Sequence, residues 1–188
     1  EPGVGVRYVR SLAELGQPDA ILLPGTKSTL ADLEWMRQTG LAAAVRAFTQ
    51  SGGAVVGIFG GYQMLGTRIE DPQHVESSLD TLPGLELLPA VTRFQSEKAT
   101  FQAHATILGG TGWMALIEGI SLDGYEIHMG ATAGAKAWLE MTQRNGISVH
   151  VLDGDISPDG KIWGCYLHGL FGNDLFRRAW LDSLGWHA

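Results

Sequence analysis

The sequence predicts an α/β domain with a mostly parallel sheet, helices on both faces of it and added antiparallel strands. Two continuous apolar runs, residues 19–25 ("DAILLPG") and 54–59 ("AVVGIF"), are typical of buried parallel strands. Residues 27–53 between them have apolar residues at helical spacing, which gives the strand–helix–strand alternation of a parallel sheet. The second half is richer in alternating segments, which favours antiparallel strands at the edge of that sheet.

The first half of the chain supplies the elements around these two strands. Residues 5–10 ("GVRYVR") alternate and predict a short strand, and residues 12–15 ("LAEL") predict a weak helix. The segment 27–53 predicts two helical stretches with a break near Gly40. Residues 62–66 ("YQMLG") begin a helix that stops early at a glycine.

The second half predicts loops and strands followed by a helix. Residues 71–91 are loop-like, with a short strand within "LPGLELLPAV". The other predicted strands cover residues 99–107, 121–130, 147–152 and 161–169. The last two of these flank the turn-rich "DGDISPDG" and predict a hairpin. Residues 173–186 form an amphipathic helix with Asn173 as a suitable N-cap.

Composition indicates one folded domain that does not bind nucleic acid. The 188 residues suit a single domain, and 45% hydrophobic with 18% charged residues is enough apolar material for a core. The 26 glycines exceed the usual share of roughly 7% and predict many tight turns. The net charge of −7, without a basic stripe, argues against a nucleic-acid partner.

Cysteine usage and hydropathy point to a reducing, cytoplasmic setting. Cys165 is the only cysteine, which leaves no disulfide framework and no cysteine-based zinc site within the chain, and we expect no metal. No apolar run approaches the ~20 residues of a membrane helix, so no membrane partner is expected. The first residues lack an initiating Met and the pattern of a signal peptide, which predicts a piece of a longer polypeptide.

The stretch "VVGIFGGYQMLG", residues 55–66, predicts a sharp strand-to-helix turn with Phe59 at its tip. A glycine-flanked turn of this kind holds its tip residue in a strained conformation above the sheet, where hydrolases place a nucleophile. The backbone N–H of Gly60 would point to the same space, where an oxyanion can bind. Taken alone, the pattern favours a glycine-rich junction that only packs, and phenylalanine has no nucleophilic atom.

Two further strand ends are expected near this turn, because ligands in such folds bind at the carboxyl ends of the strands. In "PGTKST" the backbone of Gly25 and Thr26 can supply a second oxyanion donor. An ordinary turn, with Ser28 or Thr29 capping the next helix, is the simpler interpretation of that motif. In "GCYLHGLF", His168 follows an apolar strand and is the most plausible general base.

The other histidines compete with His168 for this role. His128 is the serious rival, because it alternates with Glu126 on one face of the strand in "YEIHMG", so both can point into one cleft. An exposed strand face explains that pair equally well. The remaining histidines lie on alternating strands, in a loop or near the end of the chain: His74, His104, His150 and His187.

Four motifs together resemble the class I glutamine amidotransferase domain of the cobyric acid synthase family, which acts in cobalamin biosynthesis. They are "LLPGTKSTLADLEWMRQTGL", "GIFGGYQMLG", "GYEIHMG" and "GCYLHGLFGND", in the family's order and over nearly the whole chain. The resemblance implies a class I amidotransferase-like, flavodoxin-like fold. Cobyrinic acid a,c-diamide synthase and the glutaminase partner of the lipid II amidating enzyme are the near alternatives.

The resemblance also implies a reaction and a site. In the family, a Cys thiolate attacks the side-chain amide of L-glutamine, and the ammonia passes to a synthetase domain that uses ATP and Mg²⁺; no cofactor is expected in this chain. By motif position, Phe59 takes the nucleophile's place and His168 is the catalytic histidine. Motif position assigns the oxyanion hole to Gly25, Thr26 and Gly60, and substrate contacts to Tyr62, Gln63, Glu126 and His128.

This chain departs from the family at the nucleophile, where the family has "GICGGYQMLG". No thiolate can form at Phe59, and loss of a covalent nucleophile typically costs several orders of magnitude in rate, so we expect no glutaminase activity. Cys165 alternates away from this strand-to-helix turn and is not expected to replace the missing nucleophile. Either Phe59 tolerates the strained turn, or the turn has relaxed and the ring plugs the glutamine pocket.

The origin of this exchange is open at the level of sequence. One base change separates Cys from Phe, so an engineered exchange, a natural loss and a sequence error are alternatives. A degenerate module that binds glutamine or a synthetase partner without hydrolysis is the competing functional hypothesis.

Two further departures concern the triad and the N-terminal region. Many class I amidotransferases have Glu two residues after the histidine, but Leu170 stands there, as is general in this branch, so the histidine is expected to act in a dyad. The family has an earlier strand before the stretch matching residues 5–10, and an ATP-dependent synthetase domain before that strand. We therefore expect residues 1–188 to be a single amidotransferase-like domain that lacks both, with unpaired backbone at a sheet edge.

Overall fold

The computed structural model describes residues 1–134 and 136–187, except for the side chains of residues 96–99 and 128. The helices are α1 (Leu12–Leu15), α2 (Thr29–Gln38), α3 (Leu41–Gln50), α4 (Gly60–Leu65) and α5 (Asp174–Ser183), with 3₁₀ turns at Gly112–Ile117 and Leu170–Gly172. The first strands are β1 (Ala20–Leu23), β2 (Ala54–Ile58), β3 (Arg68–Glu70), β4 (Thr81–Pro83), β5 (Val91–Ile107) and β6 (Ser121–Ala133). They are followed by β7 (Leu139–Arg144), β8 (Ile147–Asp153), β9 (Asp155–Ile156), β10 (Ile162–Cys165) and β11 (Leu167–His168).

The first sheet has the order β1-β2-β10-β9, with β1, β2 and β10 parallel and β9 antiparallel to β10. Successive residues of β2 point to opposite faces. Val55 joins the core cluster that α2, α3 and α4 complete, and Val56 joins the cluster that includes Phe176 and Trp180 of α5. Because both faces are covered, the strand is a continuous apolar run, and the predicted arrangement with helices on both faces is confirmed.

The second sheet contains the antiparallel strands, in the order β11-β6-β5-β3-β4, with β7 pairing with β5 and β8 with β7. The predicted strands 99–107 and 121–130 are parts of the longer β5 and β6, which pair with each other. The antiparallel strands therefore form a sheet of their own, apart from the edge strand β9. This sheet approaches the parallel one through β11, which places His168 opposite Tyr125.

One strand prediction and one hairpin prediction were wrong. Residues 5–10 form no strand, and Val6 and Tyr8 are 87% and 90% exposed: the segment does not pair with β1, whose outer edge has no partner among the described residues. Residues 147–152 do not form a hairpin with 161–169: β8 pairs with β7, and the partner of β10 is β9. The chain changes sheets at Gly154, where φ is +82° and a Cβ would lie 2.4 Å from Nε1 of Trp138.

The predicted helix boundaries agree with the structure more closely than the predicted caps do. The break near Gly40 is confirmed, with φ +80° between α2 and α3, whereas α4 begins at Gly60, two residues before the predicted start. Asn173 stands at the N-cap of α5 but makes no capping bond, because its amide group bonds to the Asp123 backbone instead. No helix among the described residues is both long enough and apolar enough to span a membrane.

Candidate functional site

The elbow between β2 and α4 keeps its strained conformation although phenylalanine occupies its tip. Phe59 has φ +54° and ψ −112°, so the strained alternative predicted from the sequence is the one adopted. Hydrogen bonds hold the turn on both sides: the Phe59 N–H donates to the Cys165 carbonyl at 3.0 Å, and the Phe59 carbonyl accepts from Gln63 N at 3.0 Å. Glycine is required beside it, since a Cβ on Gly61 would lie 1.9 Å from the Leu23 carbonyl oxygen.

The turn after β1 lies directly against this elbow. A Cβ placed on Gly25 would be 2.9 Å from Cδ1 of Phe59 and 3.3 Å from Cε1 of His168. A Cβ placed on Gly60 would be 2.7 Å from Cγ2 and 3.2 Å from the backbone nitrogen of Thr26. The three strand ends therefore converge as predicted, and the backbone of the two proposed oxyanion segments is in close contact.

The Thr26 side chain fixes the turn after β1. Its hydroxyl donates to the Asp32 carboxylate in the first turn of α2, and its oxygen accepts from Ser28 N at 3.1 Å. The simpler interpretation had Ser28 or Thr29 capping α2. Ser28 occupies the N-cap position without a side-chain capping bond, and the Thr29 hydroxyl donates to Gln63 instead. Thr26, through its contact with Asp32, ties the turn to the helix instead.

His168 lies between two aromatic rings. It stacks on Tyr125, with the ring centroids 4.8 Å apart and the planes 4° from parallel, and it faces Phe59 at 5.6 Å with a tilt of 41°. A cleft of about 300 Å³ opens at this rim, lined in part by Gly25, Ile58 and His168. The Phe59 ring contacts both the histidine and the Gly25 turn, which is the position where a nucleophile would have to act.

The predicted substrate residues on α4 lie behind the elbow. Tyr62 and Gln63 are each 1% exposed. Burial raises the pKa of Tyr62, whose ring packs edge-on against Tyr166 at 5.5 Å. The Gln63 amide accepts from the Thr29 hydroxyl at 3.1 Å and donates to the Tyr166 hydroxyl at 3.1 Å. Both side chains support the elbow from the core, and contact with a substrate stays a prediction for them.

Glu126 lies on the opposite side of β6 from the histidine. In the pairing of β11 with β6, His168 stands opposite Tyr125 and Leu167 opposite Glu126, so alternation points Glu126 away from the His168–Tyr125 stack. Its buried carboxylate accepts two bonds from Arg144, at 2.6 and 2.8 Å. The side chain of His128 lies outside the described residues. Substrate contact through Glu126 or His128 stays a prediction.

Sequence reasoning missed two aromatic residues of the site. Tyr125 covers one face of the His168 ring, and Tyr166 lies edge-on to Phe59 with the ring centroids 6.5 Å apart. The contact of Tyr125 with His168 depends on the register of β11 against β6, which no local sequence pattern predicts. Tyr166 stands two residues before His168, and its alternation with Cys165 was the available signal.

Cys165 is unsuited to replace the nucleophile, as expected. It is fully buried in the core cluster shared with α5, and its thiol donates to the Leu167 carbonyl at 3.7 Å. Burial raises the pKa of this thiol well above its ordinary value, which disfavours the thiolate. Among the described residues, no group of three or more His, Cys, Asp or Glu side chains is arranged to hold a metal ion.

Sequence comparison finds one family over most of the chain. The family described as the CobB/CobQ-like glutamine amidotransferase domain matches residues 1–176. The cobyric acid synthase of Roseiflexus castenholzii is 48% identical over 190 residues, covering 100% of this chain and 37% of that protein. Those of Moorella thermoacetica and Pelotomaculum thermopropionicum are 42% and 46% identical, over 98% and 99% of this chain and 36% and 35% of their own lengths. The chain thus spans about a third of the curated relatives it matches.

Comparison with solved structures supports the fold. A crystal structure of a glutamine amidotransferase superposes with a TM-score of 0.63 at 18% identity, covering 98% of this chain and 88% of that chain. The structure of PurLQS from Thermotoga maritima gives 0.62 at 17% identity, covering 90% and 80%. The predicted class I amidotransferase-like fold is therefore confirmed.

Proposed function

The chain belongs to the CobB/CobQ-like glutamine amidotransferase domain family, and from this premise we propose that it is the ammonia-supplying glutaminase domain of a cobyric acid synthase-type amidotransferase in cobalamin biosynthesis, disabled at its nucleophile. One observation carries the proposal: the strained elbow at Phe59 persists, with His168 and the Gly25 turn in place against its tip. A junction that only packs has no need of a bulky residue at positive φ, since glycine would fit there without strain.

The remaining groups suit acyl transfer from glutamine. With a thiol at position 59, His168 takes the thiol proton as the sulfur attacks the amide carbon. The N–H groups of Gly60 and of the Gly25–Thr26 turn face the negative oxygen of the tetrahedral intermediate. The imidazolium returns its proton to the leaving nitrogen, which departs as ammonia. Water, deprotonated by the same imidazole, then cleaves the thioester to release glutamate and the thiol.

Phe59 stops this sequence at its first step. Its ring supplies no nucleophilic atom and lies against the histidine and the Gly25 turn. The chain as it stands is therefore expected to release no ammonia from L-glutamine above the uncatalysed rate.

Replacing Phe59→Cys tests the proposal directly. The variant is expected to gain glutamine-dependent ammonia release, measured with a coupled glutamate dehydrogenase assay, because the elbow keeps its conformation and His168 and the Gly25 turn lie against its tip. Phe59→Ala is the matched control, since it clears the same space without adding a thiol and should stay inactive. His168→Ala combined with Phe59→Cys should remove the gain. Absence of ammonia release from a folded Phe59→Cys chain would contradict the proposal.

A second candidate function is a module that binds glutamine or a synthetase partner without hydrolysis. The contact of the Phe59 ring with His168 favours it, because the ring occupies the place of the nucleophile and so prevents hydrolysis of glutamine. Calorimetry with L-glutamine separates the two: binding to the unmodified chain, together with no gain from Phe59→Cys, favours the binding module. The glutaminase proposal instead expects glutamine to bind to Phe59→Ala more tightly than to the unmodified chain.

We further propose that an ATP-dependent synthetase, with its Mg²⁺, is supplied by polypeptide outside these 188 residues, in the cytoplasm. The relatives are cobyric acid synthases of which this chain spans only about a third. The outer edge of β1 supports a missing neighbour, since among the described residues β1 pairs only with β2 and Leu22 is 45% exposed. A longer polypeptide that adds an upstream strand is expected to protect the β1 amides from hydrogen exchange, whereas unchanged exchange would contradict this part.

A further inference from the structure

A buried chain of polar side chains runs beneath the elbow and joins the two sheets. The Thr29 hydroxyl donates to Gln63 Oε1 at 3.1 Å, and Gln63 Nε2 lies 3.1 Å from the Tyr166 hydroxyl. That hydroxyl is 2.6 Å from Oγ1 of Thr132, which is 2.7 Å from Oγ1 of Thr92. The chain of bonds thus connects the start of α2, the elbow helix α4 and the β5–β6 pair.

Within this series of hydrogen bonds, Tyr166 is the residue that both contacts Phe59 and directly precedes the β11 strand of His168. It joins β10 to β11 and stands two residues before His168. Its ring lies edge-on to Phe59 at 6.5 Å, and its backbone N–H donates to the Asp153 carboxylate at 2.9 Å. A shift of this side chain would therefore move the elbow tip and the backbone that leads to His168.

The hydroxyl of Tyr166 bonds to two of these side chains at once. It accepts an amide N–H of Gln63 at 3.1 Å and lies 2.6 Å from the Thr132 hydroxyl, a bond in which either the phenol or the threonine can donate its proton. Burial raises the pKa of Tyr166 to about 12, so the phenol stays neutral and keeps that proton at physiological pH. A buried network of this kind rigidifies its surroundings only while each member is satisfied.

From this network we infer that Tyr166 is a positioning residue for the glutaminase reaction. Its hydroxyl ties α4, through Gln63, to β6, through Thr132, and so fixes the separation between residue 59 and His168. It touches no reacting atom, and its effect reaches the reaction through those two positions. The inference rests on the proposed function and adds to it a residue outside the family's nucleophile and histidine.

Tyr166→Phe tests the inference, because it removes one oxygen and keeps the ring packing against Tyr62. In a Phe59→Cys background we expect kcat for glutamine hydrolysis to fall about tenfold with KM changed less than about twofold. The pH dependence of iodoacetamide alkylation gives a second readout. A well-placed His168 lowers the midpoint for alkylation of the introduced thiol, and Tyr166→Phe should raise that midpoint by about one pH unit.

Matched variants separate positioning from loss of stability. Tyr8→Phe removes the same oxygen from an exposed ring and should change neither readout. Thr132→Val removes the partner of the Tyr166 hydroxyl, so its effect should be similar in direction and not additive with Tyr166→Phe. Buried Cys165 should remain unlabelled in the unmodified chain, which gives the blank for alkylation.

Two results would overturn the inference. If Tyr166→Phe lowers the melting temperature but leaves kcat and the alkylation midpoint within about twofold and about 0.3 pH unit, the hydroxyl has a structural role only. If the introduced thiol titrates like an ordinary thiol while Tyr166 is still present, His168 does not act on position 59. That second result defeats the proposed function as well, whereas the first defeats this inference alone.

Discussion

Four described non-glycine residues have positive φ, and two of them, Asn145 and Phe59, adopt it in different surroundings. Asn145, with φ +50°, stands in the turn between β7 and β8, followed by Gly146 with φ +80°. Phe59, with φ +54°, stands at the elbow between β2 and α4. Asparagine tolerates this region better than most residues, and the Asn145 side chain accepts from Gln102 N of the neighbouring strand β5 at 2.8 Å.

The surroundings of the two turns differ more than their angles. A Cβ added at Gly146 meets nothing within 4 Å, so that hairpin turn is open to solvent. At the elbow, a Cβ on Gly61 would overlap the Leu23 carbonyl, and one on Gly57 would lie 2.6 Å from Tyr62 N. The hairpin turn thus combines residues that tolerate positive φ with open surroundings and bonds to β5, whereas the elbow conformation is imposed on Phe59 by the packed strands around it.

The largest expected effect comes from Gly61→Ala. Because its Cβ would lie 1.9 Å from the Leu23 carbonyl oxygen, the strand and the elbow helix must move apart, and we expect a loss of about 3 kcal/mol or more in the free energy of unfolding. Urea denaturation followed by tryptophan fluorescence measures it.

Gly146→Ala is the control for that prediction, since it adds the same methyl group at an open turn. It should cost only the backbone penalty for positive φ, about 1–2 kcal/mol. Equal losses for the two variants would show that the elbow is no more constrained than the hairpin.

An intermediate effect is expected from comparing Phe59→Gly with Phe59→Ala. Both variants lose the ring, so their difference isolates the backbone strain, and the glycine variant should be more stable by about 1–3 kcal/mol. Thermal melts of the two chains in the same buffer give the difference. If alanine were as stable as glycine, the elbow would carry no strain.

The smallest effect is expected at the hairpin. Asn145→Gly keeps the positive φ and loses the bond from Gln102, for a cost of about 0.5–1.5 kcal/mol. Asn145→Ala loses both the bond and the favourable backbone, and should cost about 1 kcal/mol more. An alanine variant as stable as the glycine variant would show that positive φ at position 145 costs nothing.

The parallel half of the fold was readable because its signals are local. The apolar runs of β1 and β2, and the helical spacing between them, follow from burial on both faces of a sheet. Residues 5–10 misled because alternation does not show whether a segment pairs with a neighbour, and this one leaves the edge of β1 open. The strand β7 was missed although Asn145–Gly146 is a strong hairpin signal, because the residues before that turn contain no separate apolar run.

The sequence predicted that the three strand ends of the site meet, but not which residues surround them. Motif order placed Gly25, Phe59 and His168 at one rim, and the structure brings them into contact. Tyr125 could not be predicted, because its contact depends on the register between β11 and β6 rather than on any nearby residue. Glu126 faces away from the histidine for the same reason.

The stacking of His168 on Tyr125 gives this protein a built-in spectroscopic probe. An imidazole lying flat at 4.8 Å on an aromatic ring, with a second ring tilted over it, experiences ring-current shifts that move its proton resonances. The signals of His168 should therefore stand apart from those of the other histidines in a proton NMR spectrum. Its titration can then be followed in the intact chain without a label, a substrate or a working nucleophile.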